Sequence, residues 1–340
     1  MTAGRAAPRL AAALALGCAA TAVLGCAVWS GPPLGVDDEE ARRSLRSARI
    51  AFARRDGVYL ARGDGSQARR LAGAGREATG SVAFVAAMTT AQDAVLHLTL
   101  DELDVRDGTG IDPALNILEL SGGGVAGRRR IRLAPLLPPG ADGRIRPSRL
   151  PGAAWSPDGA SIALAARGEQ EGADRILLFD RKGRPSGLFE LEGIRLAPAS
   201  GLAWDQEGDG LLLSAEGGEG QEGDRIVRLC LEPGARRGWI SPLAPGRDPA
   251  PSPAGARLAV VRDAPGGPSD IVLLDGAGKE VERFQRPAGR ALHHLFWSAD
   301  GRYLYYHSLA STGPLGLIEV GMLRCLDTRT RKVFDLLRLG

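Results

Sequence analysis

Two adjacent pairs of ionisable residues, Arg247-Asp248 and His293-His294, have the side chains best suited to chemistry in this sequence. An imidazole titrates near neutral pH and can transfer a proton or bind a metal, and an arginine beside a carboxylate can bind a polar ligand. The two pairs lie 46 residues apart, which is close to the repeat length of the chain. The alternative interpretation is that all four are ordinary polar side chains in contact with water.

Motifs for known catalytic and cofactor chemistry are absent from the sequence. The segment Gly159-Ala160-Ser161-Ile162-Ala163 lacks the last glycine of the Gly-x-Ser-x-Gly motif of hydrolases. The triple glycine at 122–124 is not followed by the Lys-Ser/Thr pair of a phosphate-binding loop. No His-x-Glu or Cys-x-x-Cys pattern indicates a metal centre. We therefore predict no catalytic residues, no cofactor and no metal ligands.

An acidic loop at residues 101–112 has oxygen ligands of the kind that Ca²⁺ prefers, because it contains aspartates around a glycine turn. Their spacing differs from that of an EF-hand, and Arg106 stands where a further ligand would help. A solvated acidic insertion is the favoured interpretation, and it also applies to the acidic, glycine-rich segment at 216–224. The aspartates of the loop are Asp101, Asp104, Asp107 and Asp112.

A repeat of about 47 residues organises the chain from residue 44 onward. Four copies are clear, and successive copies begin 49, 47 and 46 residues apart. Two weaker copies contain Arg49–Phe52 and Ser81–Phe84, which brings the total to six. Each copy contains short apolar runs that predict four strands, and this period is typical of one β-propeller blade. The clear copies begin at Ala154, Ala203, Ala250 and Phe296.

Glycine and proline support this interpretation because they recur in turns. The 340 residues include 47 Gly and 22 Pro, an excess that disfavours long helices, in which these residues cost about 1 and 3 kcal/mol. Eight Asp-Gly dipeptides occur, including the one in Ser156-Pro157-Asp158-Gly159. In that segment the proline presets φ near about −65°, and the glycine can adopt the positive φ that closes a hairpin.

The segment Trp155–Gly159 and the run Ile50–Leu71 resemble the TolB-type β-propeller repeat. The resemblance covers roughly residues 44–340. It implies an all-β fold, a six-bladed β-propeller of four-stranded antiparallel blades. Residues 1–30 ahead of it are predicted, from their own pattern, to be an N-terminal signal or anchor segment. The first copy has no obvious innermost strand; Ser44–Ala48 could supply it, or the ring is closed by another exchange of strands. The predicted blades span approximately residues 44–74, 75–140, 148–195, 198–245, 246–288 and 290–340.

In this register both ionisable pairs begin innermost strands, at the positions that Pro151-Gly152 and Ser200-Gly201 occupy in other copies. Propellers usually bind ligands where the central channel opens, so the four residues of the two pairs are predicted to form a binding site at the channel mouth. Successive side chains of a strand point to opposite faces. At most one of the two histidines is therefore expected to face the channel.

Other recurring positions predict packing. Trp155, Trp204 and Trp297 occupy one position of the repeat, and we expect them to pack between blades. Cys230 and Cys325 share another position and lie two repeats apart, which is too far for a disulfide. Both cysteines are therefore predicted to be buried free thiols.

Residues 1–30 are predicted to direct export. Arg5 and Arg9 precede twenty uncharged residues, Leu10–Trp29, as in a secretory leader or a membrane anchor. The segment Val23-Leu24-Gly25-Cys26 resembles a bacterial lipobox, which predicts cleavage before Cys26 and attachment of a lipid to it. An uncleaved anchor and ordinary secretion are the alternatives. Residues 31–43 are interpreted as a solvated tether that holds the propeller on the periplasmic side of the membrane.

The charge balance gives no indication of a nucleic-acid partner, because 43 basic and 40 acidic residues leave a net charge of only +3. We predict a non-enzymatic protein-binding scaffold of the bacterial cell envelope. It is expected to contact envelope proteins through a propeller face and the membrane through its N-terminal lipid or anchor. The alternatives are an enzyme of the lactonase or cyclase kind, or a receptor for a small ligand or glycan, each using the channel mouth.

Overall fold

A hydroxyl side chain closes the hairpins that join the first two strands of several repeats. Ser156 Oγ accepts a hydrogen bond from the N–H of Ser161 at 2.8 Å, while Gly159 adopts a φ of 69°. In the last repeat, Ser298 Oγ accepts from the N–H of Tyr303 at 2.9 Å in the same way. These contacts fix where the chain turns, and therefore which residues pair across the hairpin.

The computed structural model describes residues 38–54, 57–73, 82–102, 111–137, 152–168, 174–197, 201–217, 223–231, 238–263, 269–285, 292–312 and 318–339. All of them lie within one compact unit, Pro32–Leu339. The predicted leader, the lipobox with Cys26 and residues 103–110 of the acidic loop lie outside the described residues. Within these described ranges, no helix is long and apolar enough to cross a membrane.

The described residues form six antiparallel sheets, and in each sheet every strand pairs with the next one along the chain. Blade 1 contains β1 (Arg49–Arg54), β2 (Gly57–Arg62) and β3 (Arg69–Gly73). Blade 2 contains β4 (Val82–Met88), β5 (Ala94–Glu102), β6 (Ile111–Ser121) and β7 (Gly124–Arg132), and a 3₁₀ turn (Ala134–Leu136) follows it. Blade 3 contains β8 (Gly152–Trp155), β9 (Ser161–Ala166), β10 (Arg175–Asp180) and β11 (Pro185–Glu190).

Blade 4 contains β12 (Leu202–Trp204), β13 (Gly210–Ala215), β14 (Arg225–Cys230) and β15 (Trp239–Pro245). Blade 5 contains β16 (Arg247–Pro251), β17 (Leu258–Arg262), β18 (Asp270–Leu274) and β19 (Glu280–Phe284). Blade 6 contains β20 (Leu292–Trp297), β21 (Tyr303–Thr312), β22 (Ile318–Asp327) and β23 (Val333–Arg338). The predicted fold class, an all-β propeller with six blades, is confirmed.

The hydrophobic core is divided among the blade interfaces. Six clusters of buried side chains lie in the described residues, and each cluster joins two neighbouring blades. One of them joins blade 6 to blade 1 and so completes the ring. The propeller therefore has no single central core, and each blade is stabilised by its two neighbours.

Blade 1 has three strands among the described residues, whereas four were predicted. The segment Ser44–Ala48, considered as its innermost strand, instead forms the end of helix α1 (Glu39–Ser47) and the residue that follows. That interpretation was wrong because the local pattern is helical. Ala41 and Leu45, the two buried residues of the helix, are four residues apart and share one face.

Helix α1 closes the ring between the last and the first blade. Its two buried side chains pack in the cluster that contains aromatic residues of blades 1 and 6. Asp38 caps the helix and pairs with Lys332 of blade 6 at 2.9 Å, and Glu40 pairs with Arg329 at 2.9 Å. Residues 38–43, interpreted from the sequence as part of a solvated tether, therefore belong to the folded ring.

The repeated tryptophans pack between blades, as predicted. Trp204 Nε1 of β12 donates a hydrogen bond to the carbonyl of Ala154 in β8 at 3.1 Å. Trp297 Nε1 of β20 donates to the carbonyl of Ala250 in β16 at 2.8 Å. Each bond joins the innermost strands of neighbouring blades. Trp155 is buried at the equivalent position, but its Nε1 has no hydrogen-bond partner among the described residues.

The two cysteines are free, which confirms that part of their prediction. They occupy the third strands of blades 4 and 6, at matching positions. Cys325 is buried, and burial raises the pKa of its thiol well above the usual range. Cys230 is only half-buried, so the expectation of burial fails for this residue.

Trp297→Phe is expected to destabilise the propeller more than Trp155→Phe. Both substitutions shrink an aromatic side chain packed between blades, Trp155 buried and Trp297 half-buried, but only the first leaves the buried carbonyl of Ala250 without this donor, which costs about 1–3 kcal/mol. Equilibrium unfolding in urea measures the difference between the two variants. Equal losses of unfolding free energy would contradict a stabilising role for the hydrogen bond between blades.

Candidate functional site

The two ionisable pairs lie in matching bulges of the innermost strands β16 and β20. The pairing register shifts just after Arg247 in β16 and just after His293 in β20. Asp248 and His294 adopt φ values of 53° and 55°, a left-handed conformation that non-glycine residues rarely adopt. A bulge interrupts the alternation of side chains along a strand. The ring centroids of the two histidines lie 6.3 Å apart, and of the two only His294 borders the central channel, in line with the expectation that at most one would face it.

The Asp248 carboxylate joins three neighbouring blades. Its Oδ1 accepts a hydrogen bond from the N–H of Gly201 in blade 4 at 2.7 Å, and its Oδ2 accepts from Arg247 Nη1 at 2.8 Å. His293 Nδ1 of blade 6 lies 3.7 Å from Oδ2. The backbone N–H of Asp248 donates to Ser214 Oγ at 3.0 Å. This side chain is fully buried, and both of its oxygens are engaged by partners.

Arg247 connects the buried aspartate to the surface. Its Nε and Nη2 donate to the two carboxylate oxygens of Asp263 at 2.9 and 3.1 Å, a bidentate geometry. Its Nη1 also donates to the carbonyl of Leu292 at 2.7 Å and lies 3.1 Å from His293 Nδ1. The guanidinium group thus bridges blades 5 and 6 with nearly all of its donors.

A second pair of imidazoles lies deeper in the wall. The rings of His294 and His307 are 5.4 Å apart in an edge-to-face arrangement, and His294 borders the central channel. Burial lowers the pKa of His307 to about 3 and lowers the pKa of His294, so both are neutral at neutral pH. Burial alone would raise the pKa of Asp248, but contact with His293 and the charges around it bring that pKa below its usual range.

The channel has a mainly apolar wall. It has a volume of about 430 Å³ and is bordered by residues of all six blades, among them the tryptophans of the repeat. Phe296 and Tyr305 stack on one side with ring centroids 4.9 Å apart. Residues of β1 border the channel directly, because no strand of blade 1 precedes it among the described residues.

The cluster is arranged to hold the channel wall together. The buried aspartate has both oxygens engaged, and His294 and His307 are half-buried and neutral at neutral pH. The lowered pKa of each of these two imidazoles makes it a weaker base than a free histidine. In the described ranges, no three His, Cys, Asp or Glu side chains converge as metal ligands.

The structure brings together all four residues that the sequence singled out, and whether they bind a ligand stays a prediction. Three further residues of the cluster, Ser214, Asp263 and His307, were not predicted from the sequence. One signal for His307 was available, because the hairpin between β20 and β21 pairs it with His293. Ser214 and Asp263 belong to other hairpins, and no local pattern marks them.

Comparison with known proteins gives a match only in structure. No family model matches the sequence, and no curated protein matches it. TolB from Acinetobacter baumannii superposes with a TM-score of 0.59 at 17% identity, covering 86% of this chain and 64% of that chain. A structure from Agrobacterium tumefaciens assigned as TolB superposes with a TM-score of 0.53 at 15% identity, covering 80% of this chain and 84% of that chain. This chain has a TolB-like propeller fold.

Other propellers match at similar levels. A chain of a nidogen/laminin complex has a TM-score of 0.50 at 13% identity, covering 85% of this chain and 92% of that one. Hydrolase and peptidase structures also match, but this chain covers less than half of each. The chain also spans a little under two thirds of the length of the Acinetobacter TolB. The resemblance predicted from the repeat is therefore confirmed at the level of the fold.

Acid is expected to destabilise this TolB-like propeller through His294 and His307, which the fold holds in the uncharged form. Their pKa in the folded state lies below the value of about 6.5 in an unfolded chain, so unfolding takes up protons in acid. The unfolding free energy therefore falls as the pH drops below about 6.5, by up to about 1.4 kcal/mol per pH unit for each of these histidines.

Urea unfolding at several pH values between 7 and 4, about three pH units, measures this slope. The variant His307→Gln should reduce the slope by the contribution of one histidine. His97→Gln is the parallel variant in blade 2, where burial lowers the pKa of His97 to about 4. The His97→Gln variant should reduce the slope of the unfolding free energy with pH by a similar amount. An unchanged slope in both variants would refute the assignment of these histidines as neutral.

Proposed function

We propose that the protein is a non-enzymatic binding scaffold of the bacterial cell envelope, and that its central channel takes a segment of a partner protein. The channel itself carries this proposal. Its wall combines tryptophan side chains from successive blades with prolines of the hairpins, such as Pro157 and Pro253. Rigid aromatic and proline side chains offer a large apolar contact area and lose little conformational entropy on binding.

The polar cluster around Asp248 favours binding over catalysis. A catalytic acid or base needs a group that can reach the ligand with an exchangeable proton. Here the aspartate is saturated by Gly201 and Arg247, and a lowered pKa makes His294 and His307 weaker bases than a free histidine. The role we assign to this cluster is to hold blades 4, 5 and 6 in register, so that the channel wall is preformed.

Attachment to the envelope membrane is the second part of the proposal. The uncharged leader and the lipobox that ends at Cys26 support export and lipidation, and the TolB-like fold is consistent with that location. The lipid on Cys26 holds the propeller at the periplasmic side of the membrane. Envelope proteins are then the partners within reach.

Ala203→Trp is expected to abolish partner binding by filling the channel. Ala203 is half-buried and borders the channel, so a large side chain there occupies space that the partner would need. The matched control is Ala277→Trp, which places the same side chain in an exposed turn of blade 5. Crosslinking of the full chain in envelope extracts, with each crosslinked partner identified by mass, measures the effect.

We expect Ala203→Trp to lower the amount of crosslinked partner at least about tenfold, which equals about 1.4 kcal/mol of binding free energy. The control Ala277→Trp should not lower it. Circular dichroism and the unfolding midpoint must first show that the variant is folded. Equal crosslinking by both folded variants, or no partner with the unmodified chain, would reject the channel as the binding site.

Intact-mass measurement of the protein from bacterial membranes tests the predicted lipidation. The expected mass is that of a chain beginning at Cys26 with an added diacylglyceryl group. Cys26→Ser should yield an unlipidated protein that leaves the membrane fraction. A mass beginning at Met1 would identify an uncleaved anchor, and a cleaved chain without lipid would identify ordinary secretion.

A further inference from the structure

A second concave surface lies outside the channel, between blades 3 and 4. We call it the blade 3–4 groove. It is bordered by Ser186–Glu190 of β11, by Gln206–Asp209 in the first hairpin of blade 4 and by Leu231. Its volume is about 1020 Å³. Trp204 borders both this groove and the channel, so the two surfaces are adjacent.

The floor of the groove is apolar and partly open to solvent. Leu178, Phe189, Trp204 and Leu231 contribute to it. Leu188 lies opposite Leu177 on the other face of β11, and it is 42% exposed, one of only three large hydrophobic side chains exposed to this degree in the described part of the chain. Trp239 is another, at 67%, and it pairs across the sheet with Cys230, the neighbour of Leu231.

The rim of the groove carries more negative than positive charge. Arg228 is shared by three carboxylates, those of Asp205 at 2.7 Å, Asp209 at 3.2 Å and Glu207 at 3.5 Å. Glu207 and Asp209 are largely exposed. Asp158, on the blade 3 side, caps its own hairpin and has no basic partner in the described residues. Glu190, which also borders the groove, lies 3.7 Å from Arg175, so two guanidinium groups serve the four carboxylates of the rim.

The groove also runs along a free sheet edge. The strand β11 is the outermost strand of blade 3 and pairs only with β10 among the described residues. Five consecutive residues of β11 border the groove. Because successive side chains of a strand point to opposite faces, a run of five indicates that its backbone edge lines the groove. Such an edge can accept one more strand.

We propose that the blade 3–4 groove binds an extended, basic segment of a partner protein, which adds to β11 as a fifth strand of blade 3. Its apolar side chains lie on the leucines and aromatic residues of the floor. Its lysine or arginine side chains pair with Asp158, Glu207 and Asp209. An anionic partner is disfavoured by the same rim charges. This proposal concerns a surface other than the channel and does not require the channel to bind anything.

The first test measures binding of a fluorescein-labelled octapeptide of alternating leucine and arginine to the full chain by fluorescence anisotropy. Saturable binding is expected at low salt, and it should weaken at least about tenfold between 20 and 500 mM NaCl because the rim pairs are screened. The matched leucine–glutamate octapeptide should not bind. No saturable binding of the basic peptide up to about 1 mM would overturn the proposal.

A matched pair of variants tests the location. Asp158 accepts hydrogen bonds from Ser156 Oγ and a backbone N–H in its hairpin, and Asp300 does the same with Ser298 in blade 6. The double variant Asp158→Asn/Glu207→Gln should lower the affinity for the basic peptide at least fivefold, or by about 1 kcal/mol. Asp300→Asn should leave the affinity within about twofold of the parent. Equal losses in the two proteins would show a diffuse charge effect and reject the groove.

Selective N-methylation of the peptide tests strand addition. In an extended chain, alternate N–H groups point to opposite edges. A peptide methylated at every arginine nitrogen presents one blocked edge, and a peptide methylated at every leucine nitrogen presents the other. We expect one of these peptides to bind and the other to lose at least tenfold in affinity. Equal affinities would reject pairing with β11.

A final arm separates the groove from the channel. Ala203→Trp, which fills the channel, should leave the affinity of the basic octapeptide within about twofold of the parent. If that variant abolishes peptide binding, the peptide occupies the channel and the groove proposal is wrong. If crosslinking to envelope proteins fails while the peptide still binds the groove, only the channel proposal is lost.

Discussion

Each blade of this propeller has two apolar faces, and it can bury both faces only by packing between two neighbours. The six hydrophobic clusters of the described residues follow from that constraint, since every one of them joins two adjacent blades. Stability in such an arrangement is a sum over neighbouring interfaces, as it is in repeat proteins. The ring must therefore be closed, because an open ring would expose one apolar face of blade 1 and one of blade 6. The tryptophan indoles that reach the preceding innermost strand add a directional contact to this packing.

The same constraint explains why a charged group can be buried in the channel wall. Removing an aspartate from water is costly unless its oxygens find donors and an opposite charge. Asp248 meets this condition by collecting its partners from blades 4, 5 and 6, so the cost is offset only when all three blades are in place. The left-handed backbone at Asp248 and His294 also requires the neighbouring blades to be in place, because a strained conformation persists only where its surroundings hold it. The cluster consequently makes the geometry of the channel depend on correct assembly of half the ring.

The repeat in the sequence was sufficient to predict the number of blades and the positions of most strands. Turn residues recur at fixed offsets, and a β-propeller is built from one unit that the chain repeats. The position of the Arg247-Asp248 and His293-His294 pairs followed from the same register. The bulges that hold these pairs did not, because a bulge has no marker in the local sequence. The helical start of blade 1 was missed for a different reason. Residues 38–47 are rich in charge, and the two apolar residues that dock the helix carry too weak a pattern to be separated from a tether.

Helix α1 also determines how the protein responds to mechanical load. The first and last sheets share no strand among the described residues, so the seam between them is held by side chains and by this helix. The chain ahead of Asp38 reaches the propeller through α1. Tension on that segment therefore acts first on two buried side chains and on exposed ion pairs to Lys332 and Arg329, and only later on backbone hydrogen bonds. Because salt screens exposed ion pairs, ionic strength is expected to weaken this part of the contact between α1 and blade 6.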